Sequence, residues 1–213
     1  RFKPGYETRV PPTALDWSEF EIDEAARGQG FAKAVEMCNN NGHCRKFDAG
    51  TMCPSFRATG DERHLTRGRA NSLRLALSGQ LGPEAFTSDE MHATLDLCVS
   101  CKGCKRECPT GVDMAKMKIE FLHHYHRRHG YTLKDKLIAY LPRYAQAASR
   151  FAPAANALQA AGKRWLGFAA QRSLPRWRRD AFLNSLRSWE GAGTAGEVVL
   201  FVDTFNNYFE PEN

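Results

Sequence analysis

Cys98-Val99-Ser100-Cys101-Lys102-Gly103-Cys104-Lys105-Arg106-Glu107-Cys108-Pro109 is the segment from which the architecture can be read. Its four cysteines are separated by two, two and three residues, and the last is followed by proline. That spacing is the bacterial-type iron–sulfur run, in which one short loop offers three sulfurs to one cluster. The fourth cysteine of such a run turns toward a second cluster when two are present. Gly103 is expected to relieve crowding where the backbone bends around an inorganic core. Pro109 removes an N–H and ends the loop, so Cys108 leaves at a fixed angle. Zinc is the alternative ion, but zinc sites pair two Cys-x-x-Cys units across a longer finger. A disulfide framework does not suit an odd total of seven cysteines in a chain of 213 residues.

The other three cysteines are Cys38, Cys44 and Cys53, and Cys53 is again followed by proline. The segment from Cys38 to Pro54 reads as a stretched copy of the run, with gaps of five and eight residues and one cysteine fewer. Two ligand sets stay open. If the proline-tagged cysteines exchange clusters, Cys53 joins Cys98, Cys101 and Cys104 around a [4Fe–4S] cluster. Cys38, Cys44 and Cys108 then form a second site with three thiolates. That site suits a 3Fe–4S cluster, a second 4Fe–4S cluster with a foreign ligand such as His43, or nothing. Alternatively Cys108 closes the main cluster itself and the upstream thiols are simply buried. No residue of the chain is assigned a catalytic role.

Thiols that hold clusters must stay reduced, so the expected location is cytoplasmic, or peripheral on the inner face of the cytoplasmic membrane. No charged-then-apolar leader opens the sequence, and no apolar stretch is long enough to span a bilayer. The composition, 42% hydrophobic and 25% charged, is that of a globular protein. The net charge of +6 sits largely in the later half, in Arg127-Arg128, Lys163-Arg164 and Arg176-Trp177-Arg178-Arg179. These basic residues follow no groove-reading motif, so nucleic acid is not an expected partner.

Hydrophobic spacing predicts a mainly α fold. Residues 1–29, with Pro4, Gly5, Pro11 and Pro12, read as a linker with a helical turn at 16–20. A short helix at 31–37 delivers Cys38, and a longer one covers 64–80 with Leu65, Arg69, Leu73, Ala76 and Leu77 on one face. Ser88 caps the next helix, where Met91, Leu95 and Cys98 share the inward face. Asp113 opens another, with a stripe of Met114, Met117, Phe121 and Tyr125 that ends at Gly130. Cluster loops bracketed by helices make 30–130 a helical ferredoxin domain. Residues 131–190 continue as helices punctuated by Pro142, Pro153 and Pro175. Gly191 to Gly196 is a linker, and Val198 to Val202 reads as a buried parallel strand. Residues 191–213 are therefore expected to begin an incomplete α/β domain, as in a piece cut from a longer protein.

The stretch from Cys38 through Gly111 resembles the iron–sulfur section of bacterial FAD-linked D-2-hydroxyacid dehydrogenases, of the D-2-hydroxyglutarate and D-lactate type. The likeness lies in Cys38-Asn39-Asn40-Asn41-Gly42-His43-Cys44-Arg45-Lys46, Thr51-Met52-Cys53-Pro54-Ser55-Phe56, Arg67-Gly68-Arg69-Ala70-Asn71-Ser72-Leu73-Arg74 and the four-cysteine run. These motifs span about a third of the chain. Val198 to Asn213 is similar to the start of the cysteine-rich domain that follows in such proteins, and Phe2-Lys3-Pro4-Gly5 faintly resembles the end of their flavin domain. The resemblance implies a relay from FAD in an upstream domain, through the clusters, to an acceptor such as a quinone. The first cysteine run departs from the four-cysteine form of two-cluster helical ferredoxins, which bears on the second cluster. Rival readings are a separate iron–sulfur subunit of a quinone-linked dehydrogenase and a zinc-stabilised interaction module.

Several side chains carry two readings each. Arg67, Arg69 and Arg74 either bond or balance the cluster or form a solvated helix face. Lys102, Lys105 and Arg106 offset the negative charge of the cluster loop. His123, His124, His126 and His129 suit either a metal or the cationic end of a helix. The basic and aromatic segments at 140–144, 163–168 and 174–179 suit an anionic membrane surface, the flavin domain or a homo-oligomer interface.

Overall fold

A computed structural model describes residues 10–21, 29–185 and 199–213. The chain divides into two compact units, 1–130 and 131–213. No strand occurs among the described residues. Among the described residues the first unit contains six α-helices: α1 (Gly30–Glu36), α2 (Pro54–Thr59), α3 (Thr66–Leu77), α4 (Asp89–Asp96), α5 (Gly103–Glu107) and α6 (Met114–His129). Its core is the face that the sequence marks. Leu65, Leu73 and Leu77 are fully buried together with Phe31, Leu95, Met117 and Phe121. The caps are also where they are expected: Ser88 accepts from the Met91 N–H, and Asp113 accepts from the Lys116 N–H.

Two features of this unit lie outside the sequence reading. The four-cysteine run is not all loop, because α5 forms inside it. Ser100 and Lys102 adopt left-handed conformations, with φ of 55° and 57°, and turn the chain sharply into that helix. The second feature is Glu120, on the inward face of α6 and fully buried. Its carboxylate accepts from the Ala14 and Leu15 N–H groups at 2.8 and 2.9 Å and from Trp17 Nε1 at 3.0 Å, and it meets His124 Nε2 at 3.0 Å. It thereby ties residues 14–17 to the core, where Trp17 packs 5.1 Å from Phe31. Gly30 lets Trp17 lie so close, since a Cβ there would stand 2.2 Å from the Trp17 carbonyl oxygen.

The second unit contains α7 (Leu133–Ala139), α8 (Leu141–Arg150), α9 (Ala152–Gly162), α10 (Phe182–Ser185) and α11 (Thr204–Tyr208). Pro142 and Pro153 sit in the first turns of α8 and α9, where a missing N–H costs nothing. Trp177, read from the sequence as part of a basic surface, is instead buried with Ala145, Ala152 and Phe209. Asn156 brackets it, donating to the Trp177 carbonyl and accepting from its N–H.

The expected strand does not form. Val199, Leu200 and Phe201 are exposed and irregular, while Val198 and the 191–196 linker lie outside the described residues. A parallel strand needs a neighbour to satisfy its backbone, and no described segment supplies one. Instead Asp203 caps α11, and Phe209 packs at a tilt against Trp177 with ring centroids 4.4 Å apart. The start of an α/β cysteine-rich domain is thus not observed.

Replacing Glu120 with Ala leaves the Ala14, Leu15 and Trp17 donors without a buried acceptor and should cost roughly 3 kcal/mol of stability. Burial pushes this carboxyl up, but the bonds from Trp17, Ala14, Leu15 and His124 outweigh it and lower the pKa below 4.5. The stabilisation is therefore full above that ordinary value and is lost as pH falls through the depressed one. Thermal melts across that window should slope for the wild type and flatten in Glu120→Gln, with faster amide exchange at Ala14 and Leu15.

Candidate iron–sulfur centre

The two cysteine segments meet through backbone. Glu107, at the end of α5, accepts from the Thr51 N–H at 2.7 Å and the Met52 N–H at 3.0 Å. Gly103 lies so near that an added Cβ would touch the Thr51–Met52 backbone at 3.2 Å. The crowding that Gly103 relieves therefore comes from the other cysteine segment.

That contact sets Cys53 beside the four-cysteine run. A narrow cleft is lined by Cys53, Cys98, Cys101 and Cys104, together with Thr66 and Arg69. Cys108 is not among the residues that line it. Cys53 has φ of 52° and leads directly into Pro54 at the start of α2, so its sulfur turns inward before the helix departs. The Thr66 N–H donates to that sulfur at 3.1 Å, and the Thr66 hydroxyl lies 3.0 Å away. Cys104 accepts from the Met114 N–H at 3.4 Å. Lys118 fixes the approach to Cys98 by donating to the carbonyls of Asp96 and Cys98. Cys101 is exposed and Cys98 half-buried, so one edge of the cleft faces solvent between Leu97 and Val99, which are also exposed.

Burial pushes the Cys104 thiol up to about 11, with the neighbouring Cys53 and Cys98 thiolates adding to the effect. Burial also raises the Cys44 thiol, despite the Arg67 N–H beside it. Cys108 differs. Burial opposes its ionisation, but the Thr110 hydroxyl and the N–H groups of Val112, Thr110 and Gly111 prevail and lower its pKa. Cys104, a buried thiol that resists ionisation, beside three further cysteines on one cleft suits a polynuclear centre whose iron supplies the missing positive charge. The residues present therefore fit the cluster. Among the described residues, no three histidine, cysteine or carboxylate side chains are grouped to hold a single metal ion.

The remaining candidates divide. Cys38, at the end of α1, and Cys44, in a 3-10 turn at His43–Arg45, are both buried, and His43 is half-buried beside Cys44. Arg74 donates to the Cys38 carbonyl at 2.7 Å. Arg67 pairs with Glu62, and its guanidinium lies against Gly42, whose φ is 78°. Arg69 alone of the three is fully buried and reaches the cleft. Lys102 and Lys105 are exposed and share Asp113 at 3.5 and 3.6 Å. Three of the four histidines of α6 serve separate structural bonds, His124 to Glu120, His126 to the Gly130 carbonyl and His129 to the Thr87 carbonyl, while the His123 ring packs edge-on against His124.

Sequence reasoning missed Glu107, Thr66 and Lys118. A carboxylate one residue before the last cysteine was the available signal for Glu107.

Residues 34–112 match the 4Fe-4S dicluster domain family, so this part of the first unit is a helical iron–sulfur domain that the cleft equips with thiols. The chain as a whole is related to the iron–sulfur region of FAD-linked D-2-hydroxyacid dehydrogenases, as its motifs imply. It is 30% identical to the D-2-hydroxyglutarate dehydrogenase of Pseudomonas putida, an alignment covering 89% of this chain and 23% of that protein. It is also 30% identical to the Escherichia coli enzyme of the same name, over 70% of this chain and 19% of that protein. The Escherichia coli glycolate oxidase iron-sulfur subunit is 29% identical over 43% of this chain and 20% of its own length. The chain thus spans about a quarter or less of the relatives it matches. No solved structure matches.

In the metal-free protein, exposed Cys101 and activated Cys108 should alkylate first, and Cys104 last. A thiol near 11 is only about one part in a thousand thiolate at pH 8. Time-resolved mass spectrometry checks the order, and anaerobic reconstitution should then protect Cys101.

Proposed function

We propose that this chain is the electron-relay section of a flavin-dependent 2-hydroxyacid dehydrogenase, of the 2-hydroxyglutarate or lactate type. The observation that carries the reading is the convergence of Cys53, Cys98, Cys101 and Cys104 on one cleft inside the segment matching the dicluster family. A bound [4Fe–4S] cluster supplies one-electron storage, which a two-electron flavin donor needs to serve a single-electron acceptor. The chain's own part is to hold and insulate the centre. Four thiolates hold it, the Thr66 and Met114 N–H groups donate to two of the sulfurs, and α3 and α6 exclude water from one side. The exposed Cys101 edge is where electrons enter or leave.

The same exchange leaves Cys38, Cys44 and Cys108 for a second site, which suits a 3Fe–4S centre, a 4Fe–4S centre completed by a group such as His43, or nothing. On this reading FAD belongs to a flavin domain of the same polypeptide, and a cysteine-rich domain lies downstream of the clusters. No helix among the described residues is long and apolar enough to cross a membrane. Exposed Phe151, Leu158 and Trp165 near Arg150 and Lys163 support peripheral contact with an anionic lipid surface, where a quinone acceptor resides. A second reading, a separate iron–sulfur subunit beside a flavin subunit, draws on the match to the glycolate oxidase subunit. The intact mass of the natively purified polypeptide distinguishes the two.

Iron and acid-labile sulfide should be present after anaerobic reconstitution, and dithionite should bleach the brown colour. Cys53→Ser should lose the four-iron paramagnetic signal, while Cys108→Ser keeps it. The opposite pattern would reassign the fourth ligand, and zinc without iron or sulfide would overturn the relay.

A further inference from the structure

Among the described residues, Arg69 is the one fully buried guanidinium in the core of the first unit, and its surroundings do not balance its charge. It is 2% exposed. Its Nε donates to the Thr94 carbonyl at 3.1 Å, and Nη2 donates to the Ser55 hydroxyl at 2.9 Å. Both acceptors are neutral. Among the described residues, no carboxylate forms an ion pair with it, whereas Arg67, two residues earlier on the same helix, has Glu62. The groups whose charge acts on Arg69 are Cys98, Cys53, Cys104 and Cys101, which line the same cleft.

A buried cation without a counter-charge is strongly destabilising, and arginine does not escape by losing its proton. Such a residue persists where something negative completes its environment. Four thiolates around a four-iron centre carry net negative charge in both oxidation states, and reduction adds one electron more. We infer that Arg69 is the internal counter-ion of the centre held by Cys53, Cys98, Cys101 and Cys104: its fixed charge stabilises the reduced form and makes cluster retention and folding of this core interdependent. The inference rests on the ligand set proposed above. It adds a tuning residue that touches no substrate and acts through the field it places on the cleft.

Two consequences separate this role from simple bracing. With the cluster bound, removing the charge disfavours the added electron. Without the cluster, removing the charge relieves an unbalanced buried cation. A bracing residue would destabilise both forms alike when replaced.

The test uses the full chain, reconstituted anaerobically, as wild type, Arg69→Gln, Arg69→Lys and Arg74→Gln. Redox titration followed by paramagnetic resonance should show the reduced-to-oxidised ratio of Arg69→Gln falling about tenfold at fixed potential, about 59 mV for a one-electron couple. Arg69→Lys should recover most of that shift, and Arg74→Gln should show little. Melting of the metal-free proteins should place Arg69→Gln above wild type. If Arg69→Gln holds too little iron to titrate, a raised apo melting point with lost retention supports the counter-ion. A lowered apo melting point, or a titration within threefold of wild type, overturns it. A wild type without iron and sulfide would remove the relay reading as well, whereas a full cluster unmoved by Arg69→Gln would remove this inference alone.

Discussion

The contact between Glu107 and the Thr51–Met52 backbone is the constraint on which the centre depends. The two cysteine segments are distant in sequence, and a loop closed over such a distance carries an entropic cost that local pairing must offset. A carboxylate that takes two adjacent backbone donors meets part of that cost, and it satisfies amides that would otherwise lack partners. Gly103 makes the approach sterically possible. Once these strands of chain touch, Cys53 has no other direction to face. Its left-handed backbone and the proline behind it point the sulfur into the cleft.

Around this junction the first unit is organised by charge as much as by packing. The thiols of Cys104 and Cys44 are held by burial in the protonated state, so the bare site resists the ionisation that metal binding requires. Iron supplies the positive charge that reverses this, which links cluster assembly to the final ordering of the core. The same low-dielectric surroundings that raise a thiol penalise the buried guanidinium on α3, and the two penalties are of opposite sign. A centre of net negative charge answers the second while its iron answers the first.

The second unit follows a different logic. Its small core is assembled from Trp177, Phe209 and the alanines of α8 and α9, and its polar clasps are Asn156 and Asp203. A segment rich in arginine and tryptophan looks like a surface when read alone. Trp177 is nevertheless taken inward, while Arg176 and Arg179 beside it stay exposed. Other aromatic residues of the unit, Phe151 and Trp165 among them, do remain exposed.

The chain's residues alone determine the helices of the first unit, their caps and the chemistry of the cysteine run. Helical spacing of apolar residues and ligand spacing are both local, so α3, α4 and α6 and the caps Ser88 and Asp113 stand where the pattern puts them. Local pattern could not tell Arg69 from Arg67 and Arg74, or Cys53 from Cys108 as a neighbour of Cys98. Nor could it show that the apolar run ending at Val202 would form no strand. Each of these depends on which distant segment arrives to bury, pair or leave a group alone. Burial, counter-charge and backbone pairing are properties of the assembled surroundings, and only the tertiary structure supplies them.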